Sequence, residues 1–360
     1  MISAEMPVRL ADQVSSAPPA LDRADPIADR EAIEQFWTDN FARDSRRFSC
    51  YFNNPQEPGE ILVLRSESGD VVGTSGLHTC KMVIDGQPYR AGHTVNLAID
   101  PKYRTAGPAI QLQRGVLETV RHKSQALVCG VTERAVAVMT RVGFRKVGPL
   151  ERWTKVLHSE HKLQKYLKLP MFAKCAGIGL DFALWGLSPE ARRRRQRGWH
   201  VEFPEQFDDR FDRLWDRARA QFLIATERSS QFLNWRYRDC CDDKFQTLCL
   251  TDAKGELAGY VVFSNQGQTV RFSDLLCARP DDLEILIVEA LRHVRTLRPA
   301  VQSVSVPYFG NGFLPSVLRR CGFMQRPEQN QLVVWANEES LPLASLCDRD
   351  RWYLTGADLL

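Results

Sequence analysis

The sequence predicts an α/β protein (α+β mixed), built as two tandem domains, each a mostly antiparallel twisted sheet flanked by helices. Three observations carry this prediction. At 360 residues the chain is longer than one compact core usually needs. The stretch from His93 to Arg121 reads as a long strand, a tight loop and an amphipathic helix, a unit that must pack on a sheet. The element order seen between residues 30 and 157 then returns after residue 201. The boundaries that follow are a loose lead-in over 1–29, a first domain over 30–157, a basic helical linker over 158–200 and a second domain over 201–360.

Taken in order, the lead-in is rich in Ala, Pro, Asp and Ser and offers little to bury. Ile33, Phe36, Trp37 and Phe41 have helical spacing. Strands follow at Glu60–Leu64 and from Val71, separated by the Ser68-Gly69-Asp70 turn, and Asp85-Gly86 turns into the long strand ending at Ile99. In that strand Val95, Leu97 and Ile99 alternate with polar or small neighbours, and Asp100-Pro101 stops it. Ile110, Leu112, Val116, Leu117 and Val120 place a helix after the loop. Ala126–Cys129 is a short strand and Thr132–Val142 a helix closed by Gly143-Phe144.

The loop between the long strand and its helix is where chemistry is expected. A short turn leading straight into a helix aims backbone N–H groups and the positive helix end at one spot, which suits a phosphate. Its residues, Ile99-Asp100-Pro101-Lys102-Tyr103-Arg104-Thr105-Ala106-Gly107-Pro108-Ala109, resemble the coenzyme-A-binding segment of the GNAT acyltransferases, V-x-P-x-x-[RQ]-x-x-G-x-[GA], with Pro101, Arg104, Gly107 and Ala109 at the defining positions. The resemblance implies two tandem GNAT-like domains and acetyl-CoA or another acyl-CoA as co-substrate. It implies that backbone groups around Leu97 and Ile99 pair with the pantetheine arm. The amides of Arg104, Thr105, Ala106, Gly107 and Ala109 would hold the pyrophosphate, with Thr132 at the next helix start. Pro108 departs from the pattern and removes one donor. Family members often show N-x-x-A-x-x-x-Y-x-x-x-G-F at the following helix, and here Thr132, Ala135, Met139, Gly143 and Phe144 take those places. The family's Tyr protonates the leaving thiolate; Met139 cannot donate a proton and is expected in the core.

In the second domain the order repeats, with a helix through Phe207, Phe211, Leu214, Trp215 and Ala218 and strands at Phe245–Leu250, Gly259–Ser264 and Thr269–Leu276. A helix at Leu283–Val294, a strand at Val301–Val306 and a helix before Cys321-Gly322-Phe323 complete it. Its phosphate loop is degenerate: Ala278-Arg279-Pro280-Asp281-Asp282-Leu283-Glu284 puts three carboxylates at the helix start, which suit the helix dipole and repel a pyrophosphate. Gln231-Phe232-Leu233-Asn234-Trp235-Arg236-Tyr237-Arg238-Asp239, Asp274-Leu275-Leu276 and Trp352-Tyr353-Leu354-Thr355-Gly356-Ala357-Asp358 resemble the F-L-N-W-R-Y, D-L-L and W-Y-L-T-x-x-D segments of tandem GNAT-like proteins found with bacterial surface-polysaccharide genes. Trp235, Arg236 and Asp274 are thereby candidates for substrate contact. Trp235 equally suits a core aromatic, Arg236 an interdomain ion pair and Asp274 a strand end.

An acyl transfer also needs a base facing the acceptor. His93, eleven residues before Arg104, matches the place where some members carry a Glu base, and an imidazole has a suitable intrinsic pKa near 6.5. His78 on the preceding strand is the second candidate; Glu133 and Asp274 are weaker. No metal is expected, since the seven histidines and ten cysteines show no ligand spacing. Scattered cysteines fit reduced thiols and a cytoplasmic location, and nothing in the opening residues reads as a secretory signal. A net charge of +4 is too small to argue for nucleic acid. Residues 171–197 combine apolar runs with Arg192 to Arg195 and Arg197, which suits a linker helix or a peripheral contact with an anionic inner membrane. Two function classes emerge: an acyl-CoA-dependent N- or O-acyltransferase for a sugar-type or amine acceptor, and a non-catalytic binding or assembly protein on the same fold.

Overall fold

The computed structural model describes residues 18–41, 48–158, 185–186, 188–193, 198–240, 244–297 and 301–358. Most of the expected linker, most of the 171–197 segment and the first part of the lead-in lie outside these residues. The elements run β1 (Ala20–Arg23), α1 (Arg30–Phe41), α2 (Phe48–Phe52), β2 (Glu60–Arg65), β3 (Val71–Ile84), β4 (Gln87–Ile99), α3 (Ala106–Val120), β5 (Ala126–Thr132), α4 (Glu133–Arg141) and β6 (Arg145–Val156). They continue α5 (Pro189–Arg192), β7 (His200–Glu202), α6 (Asp209–Ala218), β8 (Ile224–Thr226), α7 (Ser230–Asn234), β9 (Gln246–Thr251), β10 (Leu257–Gln266), β11 (Thr269–Cys277), α8 (Leu283–Thr296), β12 (Ser303–Phe309), α9 (Phe313–Arg320), β13 (Met324–Ala336) and β14 (Trp352–Thr355).

The predicted mixed α/β class is the one observed, and the expected order of helix, antiparallel strands, loop, helix, strand and helix is present in both halves. The strands join in one continuous sheet, ordered β1-β2-β3-β4-β5-β13-β6-β12-β11-β10-β9-β7. Two strands cross from one half to the other. β13 lies between β5 and β6, and β6 pairs with β13 and β12, so each half holds a strand of the other in hydrogen-bonding register. β8 and β14 form a second bridge: β8 pairs with β3 of the first half and with β14, which pairs with β12.

Part of the stretch expected to be a loose lead-in is ordered: β1 pairs antiparallel with β2 from Ala20↔Arg65 to Arg23↔Leu62. Gly115 makes room for it, because a Cβ there would press on Leu21 at 2.7 Å. The first-half helices lie on opposite faces of β2–β4. α3 and α4 pack Leu112, Val116, Leu117, Val120 and Met139 against Leu64, Ile99, Leu127 and Val333. α1 and α2 pack Ile33, Phe36, Trp37, Phe48 and Tyr51 against Ile61, Val63 and Ala98. The largest core forms under the second half, where α6 and α8 cover β9–β12.

Candidate active site

The long strand carries its own irregularity. Thr74 faces Ala98 and Gly76 faces Val95, so β4 holds one more residue than β3 across this step, a β-bulge at Asn96-Leu97. Asn96 is held at φ +53°, unusual for a residue with a side chain. Its carbonyl accepts from Thr74 Oγ1 (2.9 Å), which itself accepts from Trp37 Nε1 (3.0 Å), and its Nδ2 donates to Tyr51 Oη (2.7 Å). On the other side, β4 and β5 pair in parallel from Ala91↔Ala126 only as far as His93↔Val128. β4 continues to Ile99 and β5 to Thr132 with no further pairing between them, so the two strands part as a wedge beside the bulge. Cys129 sits near the apex, its thiol donating to the Thr94 carbonyl (2.8 Å) and kept protonated by burial, which pushes its pKa up to about 12.

At the open end of the wedge the phosphate loop is narrower than its pattern implied. Asp100 caps a 3-10 turn over Pro101–Tyr103 by accepting from the Lys102 amide, and the amides of Arg104 and Thr105 donate to Pro101 O (3.4 Å) and Tyr103 O (2.7 Å). Arg104 and Thr105 therefore do not present the backbone donors expected of them. Ala109 is the fourth residue of α3, where the i→i−4 ladder begins, so its amide is also committed. What remains is the first turn itself: Ala106 and Gly107 offer amides, Pro108 has none, and Thr105 makes no side-chain cap that would compete with an incoming anion. A Cβ on Gly107 would meet nothing closer than Thr105 Oγ1 at 3.9 Å, so the space above it is open. The Arg104 guanidinium holds the loop together, donating to the Ile99 carbonyl (2.9 Å) and to Asn40 Oδ1 (3.2 Å). The Ile99 carbonyl is thus spent inside the chain, whereas Leu97 lies on the unpaired run of β4. Thr132 ends β5 on the far lip of the wedge, exposed and without a capping bond.

On the α1–α2 face, a small cavity of about 30 Å³ opens beside the bulge, lined by Cys50, Tyr51, His78, Asn96, Trp235 and Arg236 among others. It lies between the halves. Trp235–Asp239 is a π-helical stretch, a local widening of the helix that recurs at functional sites, and it turns Trp235 and Arg236 toward the first half. Trp235 donates to the Cys50 carbonyl (3.1 Å) and meets His78 edge-on with ring centroids 5.4 Å apart, so it joins the halves as well as lining the cavity. Arg236 donates from Nε to the Ala357 carbonyl (3.1 Å). His78 stacks on Tyr51 with centroids 4.0 Å apart.

His93 is paired with His78 across the strands but is not among the residues that line the cavity. It is 3% exposed, and burial pulls its pKa down to about 4, with the Asp358 carboxylate resisting and Arg228 and Arg236 adding to the fall. The expectation of an ordinary imidazole titrating near 6.5 is corrected accordingly.

Asp274 is likewise corrected as a substrate contact. It is fully buried, accepting from Arg228 Nε (3.0 Å), Tyr260 Oη (2.8 Å) and Thr355 Oγ1 (2.7 Å). Arg228 Nη2 also reaches Asp358 Oδ2 (2.6 Å). Burial raises the Asp274 pKa against the pull of Arg228; for Asp358, burial is outweighed by Arg228 and the pKa falls below the ordinary carboxylate value. The three segments singled out in the second half thus converge on one network that ties the C-terminal turn to the sheet. Met139 is 1% exposed in the α3–α4 core, as expected. Glu133 is exposed and paired with Lys146. In the second half, Asp282 at the start of α8 is clamped by Arg279 through two bonds (2.9 and 3.0 Å). No group of metal-ligating side chains occurs among the described residues.

Comparison with known proteins agrees with this architecture. Residues 26–147 match a family model described as an acetyltransferase (GNAT) domain. The chain is similar in structure to a tandem GNAT protein from the clavulanic acid biosynthesis pathway, at 14% identity and TM-score 0.55, covering 88% of this chain and 98% of that one. It is similar to a GCN5-related N-acetyltransferase from Anabaena variabilis, at 11% identity and TM-score 0.62, covering 88% and 72%. It is also similar to Saccharomyces cerevisiae N-myristoyltransferase with bound myristoyl-CoA, at 11% identity and TM-score 0.58, covering 91% and 86%. At these identities the likeness is one of fold. No curated protein matches the chain by sequence.

Proposed function

From a first half that is an acetyltransferase (GNAT) domain, joined to a second half of the same fold, we propose that the protein is an acyl-CoA-dependent N- or O-acyltransferase. The observation that carries this is the wedge: β4 and β5 part beside a bulge, and the open first turn of α3 lies at the wedge's end. The donor's pyrophosphate rests on the Ala106 and Gly107 amides and the positive end of α3, and its arm follows the unpaired edge of β4 past Leu97. Unpaired backbone at the bulge polarises the thioester carbonyl.

The acceptor's reacting group reaches the small cavity between the halves. His78 takes its proton, because His78 faces that space while His93 lies behind it at the level of the Arg228–Asp358 network. Trp235 and Arg236 form the wall contributed by the second half. A sugar-type or amine acceptor fits the resemblance to polysaccharide-associated tandem proteins, and a cytoplasmic location with peripheral contact to the inner membrane through 171–197 belongs to the same reading. The non-catalytic alternative draws on Met139, which is buried and has no proton to give.

Calorimetry with acetyl-CoA and longer acyl-CoAs tests the proposal. One equivalent should bind per chain, and Gly107→Leu should abolish binding, since its side chain fills the space above the first turn without straining the fold. Binding indifferent to that substitution, or two equivalents bound, refutes it.

A further inference from the structure

We propose that Tyr51, delivered by α2 from the opposite face of the sheet, is the acid that protonates the departing thiolate. The inference rests on the acyltransfer reading above. The helix position from which related enzymes supply a tyrosine is occupied here by Met139, whose thioether has no proton and whose burial admits no solvent in its stead.

Tyr51 is placed by three independent contacts. Gly76 has no Cβ, and one added there would collide with the Tyr51 ring, so the ring crosses β3 only because this strand residue is glycine. His78 stacks on the ring, 20° from parallel. Asn96 Nδ2 donates to Tyr51 Oη at 2.7 Å, and Asn96 is itself the bulge residue, held at φ +53° by its carbonyl's bond to Thr74. The phenol oxygen is therefore fixed to the residue beside which the thioester lies, and it lines the cavity. Because the Asn96 amide can only donate in this contact, Tyr51 accepts it through a lone pair.

The step balances in protons and electrons. The acceptor's N–H or O–H passes its proton to His78 as the new bond to the carbonyl carbon forms. The C–S bond then breaks, its electron pair goes to sulfur, and Tyr51 Oη–H protonates it to the free thiol of coenzyme A. The phenolate takes up a proton from solvent and His78 returns its own to solvent, through the opening of the cavity. One proton has then moved from acceptor to thiol, and neither side chain is left changed.

The test follows thiol release from acetyl-CoA, with glucosamine and a panel of simple amines and alcohols, by full-length wild type and Tyr51→Phe. Phenylalanine keeps the stack and the clearance over Gly76. Acetyl-CoA affinity should stay within about twofold while turnover falls by about 10²-fold or more. A Tyr51→Phe protein with wild-type turnover overturns the proposal. Wild type that fails to bind acetyl-CoA, or binds it and releases no thiol with any acceptor, overturns the underlying acyltransfer reading instead.

Discussion

Mild acid is a direct probe of the environment of His93. In the folded protein burial holds this imidazole near a pKa of about 4, against 6.5 for the free side chain. As pH falls below about 6.5 the unfolded chain takes up a proton at this residue and the folded chain does not. The unfolded state then binds more protons, so stability drops with falling pH at about 1.4 kcal/mol per unit. The contribution is complete above the unfolded value and lost by the folded one, a span of about 2.5 units worth roughly 3 kcal/mol. Asp358, held below the ordinary carboxylate value, protonates below this window. The assay is urea denaturation of wild type and His93→Gln at pH 7, 6 and 5. Wild type should lose stability steadily, and the glutamine variant should show a slope flatter by about one proton. Parallel slopes would refute the buried, neutral imidazole. They would also restore His93 as a base titrating near neutrality, whereas with its pKa at about 4 it contributes no ionisation to the rate between pH 5 and 8.

Asp274→Ala removes three bonds from a buried site and leaves Asp358 as the one carboxylate paired with Arg228. It should cost about 3–5 kcal/mol by thermal or urea unfolding without changing acetyl-CoA affinity, and a variant as stable as wild type with a raised acceptor KM would return Asp274 to the substrate site. Residues 171–197 predict sedimentation with anionic vesicles at low ionic strength and release by salt, because the arginine run supplies a screened attraction. Absence of sedimentation at low salt leaves the segment a linker.

The wedge and its loop were legible because local patterns specify them: alternation up to Ile99, Asp100-Pro101 as a stop, then helical spacing from Ile110. The division of labour within the loop was not, because it depends on which amides the 3-10 turn consumes. Arg104 carries the family pattern yet points its guanidinium at Ile99 and Asn40 rather than outward. Asp274 and Asp358 stood out in the sequence for a sound reason, but segment similarity does not say whether a carboxylate faces solvent or an arginine. Tyr51 left only an indirect trace, the glycine at position 76 in the middle of a long strand. The pairing of β6 and β13 left none, since strands so far apart in the chain carry no mark of their neighbours.

That exchange decides how the cleft between the halves can work. Two lobes joined by a flexible tether open by rotating apart, but here rotation would have to shear the ladders that β6 makes with β12 and β13 and that β13 makes with β5. The cavity between the halves therefore has walls of fixed separation, and entry is governed by side chains and loops at its rim rather than by a gape. The same weave means that a gene cut after residue 157 would encode neither a working donor domain nor its partner: the first piece would lack the strand that covers β5, and the second would lack the one that separates β12 from β13.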